Sequence, residues 1–406
     1  MLGIRPKVVF TPESPEEAAA LLAATSRAAM RLAFVGGGTE IDLGSKPAGI
    51  EAVIRTERLV RIVEHAPSDQ IAVVEAGVTL AALQRTAGAH GQRLALDAPW
   101  PERATLGGLI ASNGFGPLRA RYGSIRDLII GISIVRADGT PSRGGGKVVK
   151  NVAGFDLPKL MVGSLGTLGL ITTATFRLHP LPESSATVLL PRRAPGEVRA
   201  LRGQIQKAQL EPASVVAVSP EGGASNGGRL LLDAAVTFEG FEAGVHQQRD
   251  RFTALVLQSG AARCEVLDVA AAQAFSARHD RARAEGAFRA RFAAPVSAFE
   301  TVAADVLVPL SELLASPAFV SYPTLGLGFL AGDPGPAETV GRAIAAARRS
   351  LAGVGGSLVL QTAPAAVRAL ADVWGATPPS WPLLQAMKAR LDPERRLVPG
   401  RFVGGL

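Results

Sequence analysis

The sequence has one cysteine, Cys264, among 406 residues. One cysteine excludes an intramolecular disulfide framework and a cysteine-held zinc or iron–sulfur site within this chain. Histidine is scarce too, at five residues, and aromatics reach only 5%. Long hydrophobic runs are missing: the stretches 128–135 and 162–174 are short or broken by polar residues, well below the ~20 apolar residues of a membrane span. Arg5, Pro6 and Lys7 open the chain with no apolar segment behind them, so no secretory signal is read there and intracellular residence is expected. Charge of one sign is not concentrated. There are 20 basic and 16 acidic residues up to Glu183 and 23 and 19 after it, within a total of +8. A nucleic-acid partner is disfavoured by this even spread, the few aromatics and the missing motifs.

What is present is apolar and glycine-rich. Hydrophobic residues make up 47%, with 45 glycines. This suits a chain of two or three domains with large cores. One window, Phe115 to Lys150, is locally basic, with seven arginines and lysines against Asp127 and Asp138. A small anion or an acidic cofactor fits such a patch.

The order of elements predicts an α+β protein. Strands are expected at 8–10, 32–35, 51–56, 59–64, 71–76, 127–137 and 170–178. Ser14, Pro15 and Glu17 cap a helix, and 79–90 and 155–162 form two more. Asp138-Gly139 turns the long strand into a hairpin. The proline-rich 179–182 marks a boundary. Beyond it, strands are expected at 186–190, 214–218, 229–237, 299–309, 324–331 and 357–361. Helices are expected at 196–208, 242–259, 270–283 and 337–351, lying on one face of an antiparallel sheet. A final helix at 382–391 precedes an extended tail.

Three glycine-rich segments punctuate the first part. Gly36-Gly37-Gly38-Thr39 follows a strand directly. It is either a turn or a nest of N–H groups for phosphate. It is not a Walker A loop, lacking Gly-Lys-Ser/Thr. Nor is it a dinucleotide fingerprint, because Ile41 stands where the third glycine belongs. The second segment runs from Thr105 to Gly116, and the third from Gly163 to Gly169. Each alone reads equally as packing or a tight turn. Together they point to a long ligand with a pyrophosphate and a planar ring.

In order and spacing the three segments resemble the flavin-contacting stretches of the vanillyl-alcohol oxidase, or PCMH-type, flavoprotein family. The likeness covers residues 8–182, and the tail Asp392-Pro393…Pro399-Gly400-Arg401-Phe402 resembles the family's ending. Lys150–Leu157 and Gly163–Gly169 resemble, more narrowly, the FAD-binding E-subunit family of glycolate oxidase (glycolate dehydrogenase). The resemblance implies a two-part FAD-binding domain at 1–183, an α+β cap with an antiparallel sheet at 184–380, and a helix and tail at 381–406 returning to the first domain. It implies pyrophosphate contacts from Gly36, Gly37, Gly38, Thr39 and Glu40. Thr105, Gly107, Gly108, Ser112, Asn113 and Gly114 would run along the flavin and its phosphates. Arg119, Tyr122 and Gly123 would close the adenine and phosphate side. Gly166, Gly169 and Ile171 would pack near the ribityl chain and adenosine, and Pro99 and Trp100 would border the ring.

No histidine follows the first loop and Cys264 is isolated, so FAD is expected to be held without a covalent bond. The family's catalytic members carry a cap histidine cluster for metal and hydroxy acid. Here His65, His90, His179, His246 and His279 are scattered, and Leu165 stands where catalytic members tend to have Glu. No metal site is expected and no catalytic residue is assigned. The resemblance thus implies a partner-dependent subunit of a glycolate-oxidising complex, alongside a homologous catalytic FAD subunit and an iron–sulfur subunit. Such a subunit would be cytoplasmic, peripheral to the inner membrane through the complex. The competing expectation is a free-standing FAD-linked oxidoreductase for another alcohol or hydroxy acid.

Overall fold

A computed structural model describes residues 3–148, 154–220, 225–226, 229–260 and 263–406. Lys150 to Ala153, the first half of the Lys150–Leu157 motif, lie outside them. The chain divides into two compact units, one of residues 1–181 with 376–406, the other Pro182–Gly375.

The first unit begins with a small parallel sheet. β1 (Val8–Phe10), β2 (Leu32–Val35) and β3 (Ala52–Arg55) stand in the order β1-β3-β2. Helix α1 (Pro15–Arg27) connects β1 to β2. Its N-cap Ser14 accepts from the Glu17 N–H, with proline in the first turn. The Glu17 carboxylate reaches one residue further back than a capping box requires, accepting from the Glu13 N–H at 2.7 Å.

A five-stranded antiparallel sheet follows. β4 (Ile62–Ala66) and β5 (Ile71–Glu75) form its first hairpin, and α2 (Leu80–Gly88) comes next, N-capped by Thr79. After β6 (Gln92–Arg93) come three short helices, α3 (Leu106–Ser112), α4 (Arg119–Tyr122) and α5 (Ile125–Leu128). β7 (Ile129–Val135), β8 (Pro141–Gly145), α6 (Leu157–Met161) and β9 (Leu170–Arg177) complete the sheet in the order β4-β5-β9-β7-β8. β10 (His179–Pro180) pairs with β6. The β7–β8 turn is made by Asp138 and Gly139. The Asp138 carboxylate accepts from Thr140 N, and Gly139 takes φ +87°.

The strand expected at 127–137 starts late. Ser124 donates through both its N–H and its hydroxyl to Asp127 Oδ2 at 2.8 Å, which caps α5 and postpones β7 to Ile129. The core beneath α3 and α2 is aliphatic but for Phe176 and Met161. A second core joins Ala18 and Leu22 of α1 to Leu32, Ile54, Leu170 and, from the tail, Leu397.

The second unit is built on one eight-stranded antiparallel sheet. Its order is Glu265–Leu267, Ser184–Arg193, Leu232–Gly240, Ser214–Val218, Leu314–Tyr322, Leu327–Pro334, Phe288–Ala293 and Ser357–Thr362. Helices Pro195–Lys207, Glu242–Gln258 and Ala337–Gly353 cover one face over a single large core.

Two expectations fail here. Residues 299–309, expected as a strand, are helical from Phe299 to Ser311. The buried set Phe299, Val302, Ala303, Val306, Leu307 and Leu310 follows the 3.6-residue period, not alternation. Second, the helices are not all on one face. Val269–Ala284 packs on the other, where its His279 Nε2 pairs with the Tyr322 hydroxyl at 2.8 Å. Strand Phe288–Ala293 was not anticipated, although Phe288, Ala290 and Phe292 alternate with Arg289 and Arg291.

Candidate cofactor site

The three glycine segments meet within the first unit. β2 delivers the chain into Gly36, and from there to Ile50 there is no helix and no strand. Gly36 and Gly37 touch the turn before α3. A Cβ on Gly36 would stand 2.2 Å from Thr105 Oγ1, and one on Gly37 only 1.7 Å from the Arg103 carbonyl oxygen. The first loop is therefore seated backbone to backbone, and only glycine fits. Thr105 ties the two segments. Its hydroxyl accepts from Gly37 N and, as N-cap of α3, from Gly108 N, both at 3.3 Å. Gly107 lets α3 lie against Ala76, the residue that follows β5, since a Cβ there would meet it at 2.7 Å.

The third segment closes the other end of α3. Its N–H groups satisfy carbonyls that the last turn leaves open: Gly163 N donates to Ile110 O at 2.9 Å and Leu165 N to Ala111 O at 2.8 Å. Leu165 and Gly166 both have positive φ, +52° and +77°.

Between these walls runs an open cleft. Gly36, Gly37, Gly38, Thr39, Glu40, Thr105, Gly107, Gly108, Ser112, Gly166, Gly169 and Ile171 line it. Phe34, Thr56, Ala76 and Ala111 also line it and were not singled out from the sequence. Leu165 and Arg401 line it too; the sequence marked Leu165 only as a departure from the catalytic members and Arg401 only as part of the tail motif, not as cofactor contacts.

The remaining candidates lie elsewhere in the first unit. Trp100, at φ +54°, makes a turn whose carbonyl accepts from Arg103 N and Ala104 N, with Pro99 half-buried beside it. Asn113 ends α3 in the left-handed conformation, and Gly114 N donates to Leu109 O. Arg119 lies over the Phe115 ring, its burial holding its pKa below the ordinary guanidinium value. Arg93 donates to the Tyr122 hydroxyl at 3.0 Å, and Tyr122 meets His179 edge to face. Gly123 leaves no room for a Cβ beside Asp127.

His179 accepts at Nε2 from Arg177, which leaves its proton on Nδ1. Burial, then Arg177 and Arg93, lower its pKa to about 4.

The residues fit an FAD-like ligand. The N–H groups of Gly38 and Thr39 have no protein acceptor among the described residues, and both residues line the cleft, an arrangement suited to phosphate oxygens. The small residues of α3 admit a flat ring. The wall holds no histidine and no cysteine.

Residues 6–145 match the family described as "FAD binding domain". The first unit contains an FAD-binding domain. Among curated proteins, this chain is 36% identical over 184 residues to the D-lactate dehydrogenase of Archaeoglobus fulgidus, covering 45% of this chain and 41% of that one. It is 34% identical to glycolate oxidase subunit GlcD of Bacillus subtilis, over 45% of this chain and 39% of that one. With glycolate oxidase subunit GlcE of Escherichia coli the identity is 32%, over 45% of this chain and 51% of that one. The chain spans about half or less of the length of these relatives. A solved alkyldihydroxyacetonephosphate synthase shares the fold at TM-score 0.71 and 17% identity, over 97% of this chain and 77% of that one. The architecture is thus the PCMH-type FAD-binding fold joined to a mixed second unit. Among the described residues no group of three or more His, Cys, Asp and Glu is placed to hold a metal ion. None of the helices there is long and apolar enough to cross a membrane.

Proposed function

We propose that the chain is an FAD-dependent oxidoreductase serving as the FAD-binding subunit of a complex that oxidises glycolate, and D-lactate with it, to the 2-oxo acid. The carrying observation is the cleft in which three glycine segments converge, on a chain similar to both kinds of glycolate oxidase subunit. Bound FAD would relay electrons within the complex or support its assembly, with the hydroxy-acid site on the catalytic subunit. The chain's own groups supply the rest. Gly36–Glu40 hold the diphosphate through backbone N–H groups, the small residues of α3 admit the ring, and Leu165, Leu170 and Ile171 keep water from that wall. FAD is held without a covalent bond.

The subunit role draws on the scattered histidines. His65 faces His90, His179 faces Tyr122, and His279 is buried against Tyr322. None forms the histidine cluster that a self-sufficient hydroxy-acid site would use. With Cys264 as the single cysteine, these 406 residues cannot hold a cysteine-ligated cluster by themselves. The partners are a homologous catalytic FAD subunit and an iron–sulfur subunit, with peripheral attachment to the inner membrane through them.

A second reading, a free-standing FAD-linked dehydrogenase, is favoured by the likeness to named single-activity enzymes, among them a D-2-hydroxyglutarate dehydrogenase of Xanthomonas citri, 32% identical over 185 residues. An anaerobic visible spectrum of the purified, FAD-loaded chain decides between them. If glycolate, D-lactate and D-2-hydroxyglutarate all leave the yellow colour unchanged, the subunit reading stands, and bleaching restored only by co-expressed partners completes it. Bleaching of the isolated chain by any of the three overturns it in favour of the second. A chain that takes up no FAD overturns both.

A further inference from the structure

The first glycine loop has no regular structure between Gly36 and Ile50, yet its path is held throughout. What holds it comes from some 350 residues downstream. Arg401, almost fully buried, donates from Nε to Leu43 O at 2.9 Å, and from Nη2 to Ile41 O at 3.0 Å and Glu40 O at 3.3 Å. Its own carbonyl accepts from Ser45 N at 2.9 Å, and the Pro399 carbonyl accepts from Ala48 N at 2.9 Å. Gly44 is excluded from carrying a side chain by the same residue, since a Cβ would stand 2.7 Å from Arg401 O. The loop's own turns contribute Ile41 N to Gly38 O and Leu43 N to Glu40 O. One guanidinium thus gathers three carbonyls of the loop, those of Glu40, Ile41 and Leu43, through two nitrogens of its planar fork.

Arg401 is itself placed by an anchor. Helix Trp381–Leu391 carries Lys388, 3% exposed, and Asp392 follows it at 0%. The Lys388 ammonium spends its three donors on Thr167 O at 2.7 Å, Leu397 O at 2.9 Å and Asp392 Oδ2 at 2.6 Å. Asp392 in turn accepts from Arg396 N at 3.0 Å and Leu397 N at 2.8 Å. Thr167 belongs to the third glycine segment. Leu397 lies beside Leu32 of β2 as a parallel bridge, with Val398 N donating to Leu32 O. The pair therefore links the third segment to the strand that feeds the first. Such a buried pair costs desolvation on both sides, and here every donor of Lys388 is satisfied in return.

We propose that the segment Pro399–Arg401, anchored by Lys388 and Asp392, is a clasp that sets the shape of the first glycine loop, so that docking of the tail and binding of FAD stabilise each other. This rests on the FAD reading of the cleft and adds the residues that position its phosphate loop. Two linked events of this kind are reciprocal. If the docked tail raises affinity for the cofactor, the cofactor must raise the stability of the docked tail by the same factor.

The test uses the full chain stripped of FAD and titrated with it, followed by flavin fluorescence quenching, beside amide hydrogen exchange with and without FAD. Arg401→Gln is expected to weaken FAD binding about tenfold or more, Arg401→Lys less, with the thermal midpoint of the FAD-free protein little changed. FAD is expected to slow exchange at residues 396–401 and 40–48 in the wild type and to lose that effect on 396–401 in Arg401→Gln. Lys388→Met should act in the same direction; should it fail to fold, Arg401→Gln decides alone. Wild-type affinity in Arg401→Gln, or exchange at 396–401 that FAD leaves unaltered, overturns the clasp while leaving the FAD site standing. A flat titration of the wild type overturns the FAD reading and the clasp together, and is told apart by the wild-type curve alone.

Discussion

The two units are specified by different means. In the second, an eight-stranded sheet and its helices enclose one continuous side-chain core, from Val188 to Val373. Many residues share that task, and any one could change to another of similar volume. In the first, the cofactor wall is made where side chains are missing. Gly36, Gly37 and Gly107 each mark a place where backbone meets backbone or a neighbouring side chain too closely for a Cβ. The contrast teaches why the second unit offers no motif to read while the first offers three. Packing constrains volume and leaves identity loose, whereas close backbone approach permits one residue only.

The largest effect that sharpens this contrast is expected at Gly37. Gly37→Val forces a side chain into the Arg103 carbonyl and should abolish FAD uptake, read as loss of bound flavin after gel filtration. Retention of flavin would break the claim that backbone contact specifies the wall. The mirror experiment is Phe252→Ala. Phe252 is fully buried against Phe238 in the second unit. Its removal should cost about 3–5 kcal/mol in denaturant unfolding while the FAD dissociation constant stays within about twofold. A large change in affinity would show that the units are not independently specified.

Smaller is Thr105→Val, which keeps the volume and removes one hydroxyl acceptor shared by Gly37 N and Gly108 N. A loss of about 1–2 kcal/mol in stability is expected, with weaker FAD binding than the wild type in the same titration.

The smallest concerns pH. The His179 pKa of about 4 lies below its ordinary 6.5, chiefly through burial. As pH falls through that window the unfolded chain takes up a proton that the folded one refuses. Stability should therefore decline from about pH 6.5 down to about 4 and be indifferent to His179 above it. His179→Gln should flatten part of that slope in thermal midpoints measured across the window. An unchanged slope would remove His179 from the account.

Much of the first unit was legible in the sequence. Ser14 with Pro15 opens α1, Thr79 opens α2, and Asp138-Gly139 makes the hairpin, because caps and turns are local chemistry. The glycine segments were visible as motifs. What escaped was not local. Arg401 looks like any surface arginine until the tail is placed beside Leu43, and the apolar wall of Phe34 and Leu165 depends on which face of an element turns inward. In the second unit the errors came from period. Phe299 to Leu310 is helical by its spacing of buried residues, but its run of Val, Ala and Leu also admits alternation. Strand Leu314–Tyr322 carries Pro317 within a register shift between Ala315 and Ala318, which hides its alternation.

The return of residues 376–406 to the first unit has a consequence for how the protein is made. Helix Trp381–Leu391 and the strand-like contact of Leu397 with Leu32 leave the ribosome only after the whole of Pro182–Gly375. At about 5–20 residues per second, the nascent N-terminal unit waits on the order of ten seconds or more with β2 missing its neighbour and the Gly36–Ile50 loop without Arg401. During that interval Leu32 and Ile54 lack the Leu397 side chain that completes their core. Residues 397–401 thus finish a site begun at Leu32–Glu40, and a nascent chain interrupted between Gly375 and Leu397 would carry a complete second unit and an unfinished cofactor cleft.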